Sequence, residues 1–208
     1  MISVIDYGAG NVGSVIRMIE KVGGSARRVS SPADIASAEK LILPGVGAFD
    51  YGMGQLTQRG LIEALNEAAL QRKIPFLGIC LGMQLMCNRS DEGSARGLAW
   101  IDADVKKFAF PEGAGVPVPH MSWNVVDIRN PNPLMDNALP RTRYYFVHSY
   151  RVTCNDESDI AATATYGGDT FVAAFSRDNL FGAQFHPEKS HRFGMDIMTK
   201  FVRLNNDQ

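Results

Sequence analysis

The first part of the chain alternates between short apolar runs and amphipathic stretches. Ile2–Asp6 is a short apolar strand, and the segment from Asn11 to about Val22 repeats its apolar positions at helical spacing until Gly23-Gly24 stops it. Ala26–Ser30 reads as a second strand, and Ser31-Pro32 opens a short helix with proline at its favoured first position. Lys40–Pro44 (KLILP) is a buried strand. Gln55–Arg72 carries Leu56, Leu61, Ile62, Leu65, Ala69 and Leu70 at helical spacing, which predicts one helix. Ile74–Ile79 is a further apolar strand running straight into a helix from Leu81 that carries Cys87 as well. Strands alternating with helices predict a parallel sheet covered on both faces.

From Trp100 onward the pattern changes. Short β-rich runs follow one another (Trp123–Ile128, Arg143–Val147, Ile160–Tyr166, Phe171–Phe175, Leu180–Phe185), and a last helix from about Arg192 to Leu204 closes the chain. The expected fold is α/β: a central mostly parallel or mixed sheet flanked by helices, with added antiparallel strands in the second half. No repeat and no low-complexity linker marks a boundary, so residues 1–208 are expected to form a single domain.

Composition narrows the function classes. With 208 residues, 45% hydrophobic, the chain is long enough for a core without covalent staples. A net charge of −1 offers no basic face for nucleic acid. The most apolar stretch, Ile74 to Cys87, is interrupted by Pro75, Gly78 and Gly82 and falls short of the roughly 20 residues a spanning helix needs. The opening MISVIDYGAG lacks the layout of a secretory signal, and the 3 cysteines (Cys80, Cys87, Cys154) do not form a disulfide framework. The sequon Asn88-Arg89-Ser90 is then a coincidence. No membrane contact and a cytoplasmic location are expected.

Four segments carry candidate chemistry. Gly8-Ala9-Gly10-Asn11-Val12-Gly13 is a GxGxxG between a strand and a helix, the context of a dinucleotide fingerprint. The acidic residue that should end the next strand is missing, since Asp34 falls beyond Pro32, and Arg27 and Arg28 support an NADP variant only weakly. The glycines read as a tight turn, and no cofactor is expected.

Gly78-Ile79-Cys80-Leu81-Gly82 has the form of a nucleophile elbow with cysteine at its apex. Such a turn exposes the sulfur at a strand's C-terminal end, sets it at a helix N-terminus that favours thiolate, and aims the Leu81 amide where an oxyanion forms. Most free cysteines are small buried hydrophobes. Cys87 fits that description, whereas two glycines beside Cys80 would cost stability for nothing. A cysteine nucleophile wants a histidine base, and of the 4 histidines His186 is followed by Pro187 and Glu188. In an extended segment Glu188 faces the same side as His186 and can orient its ring. A metal site from His186, Glu188 and His191 fails, because Pro187 bars the helix and no second ligand pair completes a shell. Pro44-Gly45-Val46-Gly47-Ala48-Phe49 follows the third strand and can supply a second oxyanion amide.

GICLGMQ around Cys80 and HPEKS around His186, with PGVGAF and HSYR, resemble the class I (triad) glutamine amidotransferases. IDYGAGN and PHMSWN narrow the resemblance to the branch that serves imidazole glycerol phosphate synthases, and it spans the chain from Ile5 to the last helix. The resemblance implies a glutaminase with Cys80 as nucleophile, His186 as proton shuttle and Glu188 orienting it. The amides of Leu81 and of the Val46–Gly47 loop would hold the oxyanion. Gly47, Gln84 and the backbone of Ser149 and Tyr150 would hold glutamine. Ammonia would pass to a (β/α)8-barrel cyclase subunit in a heterodimer of histidine biosynthesis, with Asn11, Met121, Trp123, Asn124, Tyr145 and Lys189 near that interface. A peptide flip at Gly45–Gly47 would gate the oxyanion site. Two positions depart from the branch: Ser122 stands where glycine is usual, and His191 where glutamine is common. They leave open a paralogue that supplies ammonia for amidination of surface-polysaccharide sugars. A Cys-His-Glu hydrolase of another class is the remaining alternative, and it has no need of Gln84 or the HSY segment.

Overall fold

A computed structural model describes residues 1–136, 139 and 141–204 of the chain; the last four residues of the expected 1–208 domain lie outside them. The first half runs β1 (Ile2–Ile5), α1 (Val12–Lys21), β2 (Ala26–Val29), α2 (Pro32–Ala36), β3 (Leu41–Gly45), α3 (Phe49–Gln58), α4 (Ile62–Asn66), β4 (Phe76–Cys80) and α5 (Leu81–Leu85). The second half adds β5 (Arg89–Ser90), β6 (Ala103–Lys107), β7 (His120–Val125), β8 (Asp127–Ile128), β9 (Arg143–His148), β10 (Tyr150–Cys154), β11 (Ile160–Tyr166), β12 (Asp169–Arg177), β13 (Leu180–Ala183) and α6 (His191–Arg203).

One large mixed sheet has the order β2-β1-β3-β4-β13-β12-β10-β6-β5, with β11 and β8 continuing from β12 on a branch. Its β2-β1-β3-β4-β13 part is parallel. From β13 through β12 and β10 to β6 the pairing is antiparallel. Alternate residues of the inner strands serve opposite faces. Leu41, Leu43 and Phe76 join the core under α2 to α5, while Ile42, Leu77 and Ile79 join the core under α1 and α6. Strands that feed two cores must be apolar throughout, which is why β3 and β4 read as unbroken apolar runs. Among the described residues no helix is long and apolar enough to cross a membrane.

Several boundaries differ from the sequence expectation. The single helix expected over Gln55–Arg72 is two, because Gly60 (φ +65°) ends α3: its N–H bonds to Thr57 O and the Leu61 N–H reaches back to Leu56 O. A π turn, Glu67–Gln71, extends α4. The start of α3 lies earlier than expected, at Phe49, whose N–H donates to the distant Glu92 Oε2 at 2.9 Å. The helix after Cys80 stops at Leu85, so Cys87 lies beyond it, with its N–H on Gln84 O. The run Trp123–Ile128 is split. β7 pairs with β9 in a separate two-stranded ribbon, and β8 pairs with β11 in the large sheet. Strands β6 and β10 escape the sequence pattern because they pair mainly with each other and bury one face, around Val105 and Val152.

Candidate active site

Cys80 ends β4 and begins α5 with φ 54° and ψ −110°, a left-sided backbone that non-glycine residues rarely adopt. The glycines beside it are fixed by close approach. A Cβ on Gly82 would lie 1.8 Å from Leu43 O, and one on Gly78 would lie 2.7 Å from Met86 Sδ and 2.8 Å from the Gly82 backbone. Strand, turn and helix are thus pressed together on β3, and the side chain at the apex is turned out of the crowd. Its sulfur lies 3.9 Å from Val147 O and 3.8 Å from Gln184 Nε2.

His186 leaves the end of β13 and caps the 3₁₀ turn Pro187–Lys189. Its Nδ1 is 2.8 Å from Glu188 Oε1, with both side chains buried. The pair therefore forms, but through a tight turn rather than the extended segment expected from sequence. Ser190 locks this turn to β9: its hydroxyl donates to His186 O at 2.6 Å and accepts from Tyr145 N–H at 3.0 Å. Nε2 of His186 makes no hydrogen bond of normal geometry. Burial alone pulls the imidazole's pKa down, but the neighbouring Cys80 sulfur and the Glu188 carboxylate outweigh it and push the value up to about 10.

A cavity of about 490 Å³ opens over this pair, and Cys80, Leu81, His186, Val46, Gly47 and Gln84 line it. His148, Ser149 and Tyr150 also line it, so the nucleophile, base, oxyanion and glutamine-binding candidates share one space. Glu188 stands behind His186. The loop after β3 is shaped by its glycines: Gly47 has φ +107°, while a Cβ on Gly45 would lie 2.7 Å from Gly82 N, Leu81 Cβ and Tyr7 Oη. Three residues were not foreseen. Glu92 brings a carboxylate to the cavity. Gln184 is fully buried, with its amide aimed at the sulfur. Tyr7, buried under the loop, has its hydroxyl pKa raised by burial and by the nearby Cys80. Of these, Gln184 had a signal, as a polar residue inside the apolar run before His186.

The remaining candidates fall into two groups. Met121, Trp123 and Tyr145 lie on the outer face of the β7–β9 ribbon, with Lys189 Nζ 5.9 Å over the Tyr145 ring. His191 stacks on Trp123 at 5.5 Å, and Ser122 is exposed beside it. Asn11 is exposed and caps α1, accepting from Ser14 N–H, and the Asn124 amide turns inward to Thr165 O at 2.9 Å. The GxGxxG turn is used internally. Gly10 (φ +152°) passes so close to β3 that a Cβ would meet Pro44 O at 2.9 Å, Arg28 pairs with Asp6, and Asp34 bonds Ser31 at the start of α2. Cys87 is fully buried, and burial raises its thiol pKa well above the usual value. Among the described residues no group of His, Cys, Asp or Glu is arranged to hold a metal ion.

Comparison with known proteins places these features in a family. The glutamine amidotransferase class-I family matches residues 3–204. A Methanococcus maripaludis protein named imidazole glycerol phosphate synthase subunit HisH 2 is 49% identical, over 98% of this chain and 99% of its own. A Pseudomonas aeruginosa protein of the same name is 48% identical over 98% and 100%, and a Leptospira borgpetersenii subunit HisH is 40% identical over 98% and 100%. The solved structure of PurLQS from Thermotoga maritima shares the fold, with TM-score 0.70 at 19% identity over 97% and 95% of the two chains. The chain belongs to the class-I glutamine amidotransferases, in the branch of the imidazole glycerol phosphate synthase HisH subunits.

Proposed function

We propose that the protein hydrolyses glutamine for an imidazole glycerol phosphate synthase. The observation that carries this reading is the strained Cys80 elbow, in one cavity with a His186 already held by Glu188. The Cys80 thiol gives its proton to His186 as its sulfur attacks the side-chain amide carbon of glutamine. The amides of Leu81 and of the Val46–Gly47 loop receive the oxyanion, and His186 delivers a proton to the leaving nitrogen. Ammonia departs and a γ-glutamyl thioester remains. Water, deprotonated by His186, then releases glutamate and restores the thiol. Gln84 and the Ser149–Tyr150 backbone hold the substrate, and the Glu92 carboxylate suits its α-ammonium group. A flip of the Gly45–Gly47 peptides would remove one oxyanion donor, and losing one costs about 10²–10³ in rate.

The ribbon face of Met121, Trp123, Tyr145 and Lys189 is the proposed docking surface for a (β/α)8-barrel cyclase subunit in a heterodimer. Met121, Trp123 and Val125 are large apolar side chains left 58%, 39% and 50% exposed there, as a surface awaiting a partner would be. Val147 belongs to the same ribbon, and its carbonyl lies beside the Cys80 sulfur, so ammonia released at Cys80 is close to the docked subunit. The cyclase would use it to make imidazole glycerol phosphate and an aminoimidazole carboxamide ribotide, in the cytoplasm; the lyase step belongs to that subunit. The test is glutamate release from glutamine, measured alone and with the barrel subunit and its ribonucleotide. Slow release alone and steep stimulation by both together are expected. Steady release that ignores the barrel would overturn the synthase assignment.

A further inference from the structure

His120 and His148 stand directly opposite each other on β7 and β9, buried and outside the proposed catalytic trio. We propose that they are positioning residues of the glutamine site, the middle of a hydrogen-bond chain of fixed direction that runs from Asn124 to the Tyr150 carbonyl. The inference rests on the glutaminase reading above.

The direction follows from the two ends. Tyr150 O can only accept, so His148 Nδ1, 2.7 Å away, carries a proton. A neutral His148 then has a lone pair on Nε2, which must receive a proton from His120 Nδ1 at 3.1 Å. That leaves a lone pair on His120 Nε2, which faces the Asn124 amide nitrogen at 3.4 Å. The same nitrogen donates to Thr165 O at 2.9 Å, which fixes it independently as the NH₂. Both ends therefore demand the same tautomer, Nδ1–H, on both rings. Protonating His148 would reverse the middle bond and set an N–H of His120 against the NH₂ of Asn124. Burial opposes that charge: it lowers the pKa of His120 to about 4 and that of His148 to about 3. For His148 the bond to Tyr150 works the other way, while His120 and His186 add to the lowering.

The chain ends at a carbonyl that matters. Tyr150 O also accepts from Gln84 Nε2 at 3.1 Å, which fills both of its lone pairs. That amide nitrogen donates to Gln184 Oε1 at 3.0 Å as well, and Gln184 Nε2 is the group aimed at the Cys80 sulfur. His148 thus fixes the carbonyl that orients Gln84, and Gln84 fixes the amide beside the nucleophile. Both imidazoles also fill an aromatic cluster, with His120 stacked 4.0 Å from Tyr166 and 5.0 Å from Phe146. A purely space-filling role would therefore accept phenylalanine.

The test uses the full chain in complex with its barrel subunit. His148→Phe should raise KM for glutamine about tenfold, the scale of one lost buried hydrogen bond, and His120→Phe should raise it by less. Nitrogen-15 NMR of the unaltered complex at pH 7 should show both rings as neutral Nδ1–H tautomers. An active wild type with both variants within twofold in KM overturns this inference alone; a wild type that releases no glutamate overturns it together with the function. Should a variant fail to fold, the nitrogen shifts decide: an Nε2–H tautomer or an imidazolium at either ring overturns the chain.

Discussion

The elbow around Cys80 and the histidine pair on the β7–β9 ribbon both serve one cavity, yet they are built by opposite means. The elbow is local. Its shape is set by close approach, with two glycines where a Cβ would strike Leu43 O or Met86 Sδ, and by a positive φ at Cys80, midway between them. The histidine pair is assembled from β7, β9, β10 and β11, with His120 and His148 28 positions apart, and relies on every polar atom having a partner. Crowding is paid for in residue type and leaves glycines behind in the sequence. Hydrogen bonding between distant segments leaves a fainter trace: Gln184 stands out inside an apolar run, but the histidines and Asn124 of the ribbon are ordinary residues where they stand.

Two substitutions separate the chemistry of the elbow from its architecture. Cys80→Ala removes the proposed nucleophile and should cut glutamine turnover by at least about 10⁴-fold, with the thermal midpoint close to that of the parent. A residual rate within tenfold of the parent would take the elbow out of the reaction. The same variant removes the sulfur that raises the His186 pKa, so NMR titration should find that pKa lower. Gly82→Ala does the reverse. Its methyl would sit on Leu43 O, so stability should fall by about 3 kcal/mol or the protein should fail to accumulate. Unchanged denaturant midpoints would show that the glycine is there for some reason other than contact.

The contrast explains what could be read in advance. The parallel half of the sheet was legible because β3 and β4 are apolar throughout. The grouping of Cys80, His186 and Glu188 was legible because glycines frame Cys80 and because His186 and Glu188 are near neighbours in sequence. The break in the helix after β3 had a local sign, Gly60, which was outweighed by the continuing leucine spacing. The early start of α3 had none, since its cap is Glu92 from another loop. Asn124 illustrates the limit most clearly. Its place in PHMSWN gave no sign of what its amide bonds: alternation along β7 turns that amide to the inner face, where it begins the histidine chain.

Acid should distinguish the two regions on a smaller scale. Both ribbon imidazoles have folded pKa values below the unfolded 6.5, so their contribution is complete above pH 6.5 and is lost as pH falls toward about 4 for His120 and about 3 for His148. Each removes up to about 1.4 kcal/mol per pH unit in that interval. His186 has the opposite sign. Its pKa is raised to about 10, so its contribution is complete below pH 6.5 and declines as pH climbs toward 10. Urea unfolding across pH should show the acid loss becoming shallower in His120→Phe, while the alkaline side stays as in the parent. An acid limb that is identical with and without His120 would mean that this ring is not neutral in the folded protein.

The smallest effect should come from the outer face of the same ribbon. Lys189 lies 5.9 Å over the Tyr145 ring, at the end of the turn that carries Glu188, so it borders both the His186–Glu188 pair and the proposed docking surface. An exposed cation over an aromatic ring contributes about 0.5–1 kcal/mol. That contact is formed within this chain, so toward the barrel subunit Lys189 acts as one rim charge, and Lys189→Ala should weaken binding by only about two- to fivefold in calorimetry. Because the turn is held from inside by Ser190, through its bonds to His186 O and Tyr145 N–H, removing the lysine leaves the His186–Glu188 geometry in place. The loss should fade at high salt if the lysine meets a charge on the partner, and persist if its only role is to pack on Tyr145. A drop in affinity of a hundredfold would mean that Lys189 reaches a desolvated carboxylate across the interface, and that the outer face is held by a buried ion pair rather than by its apolar side chains.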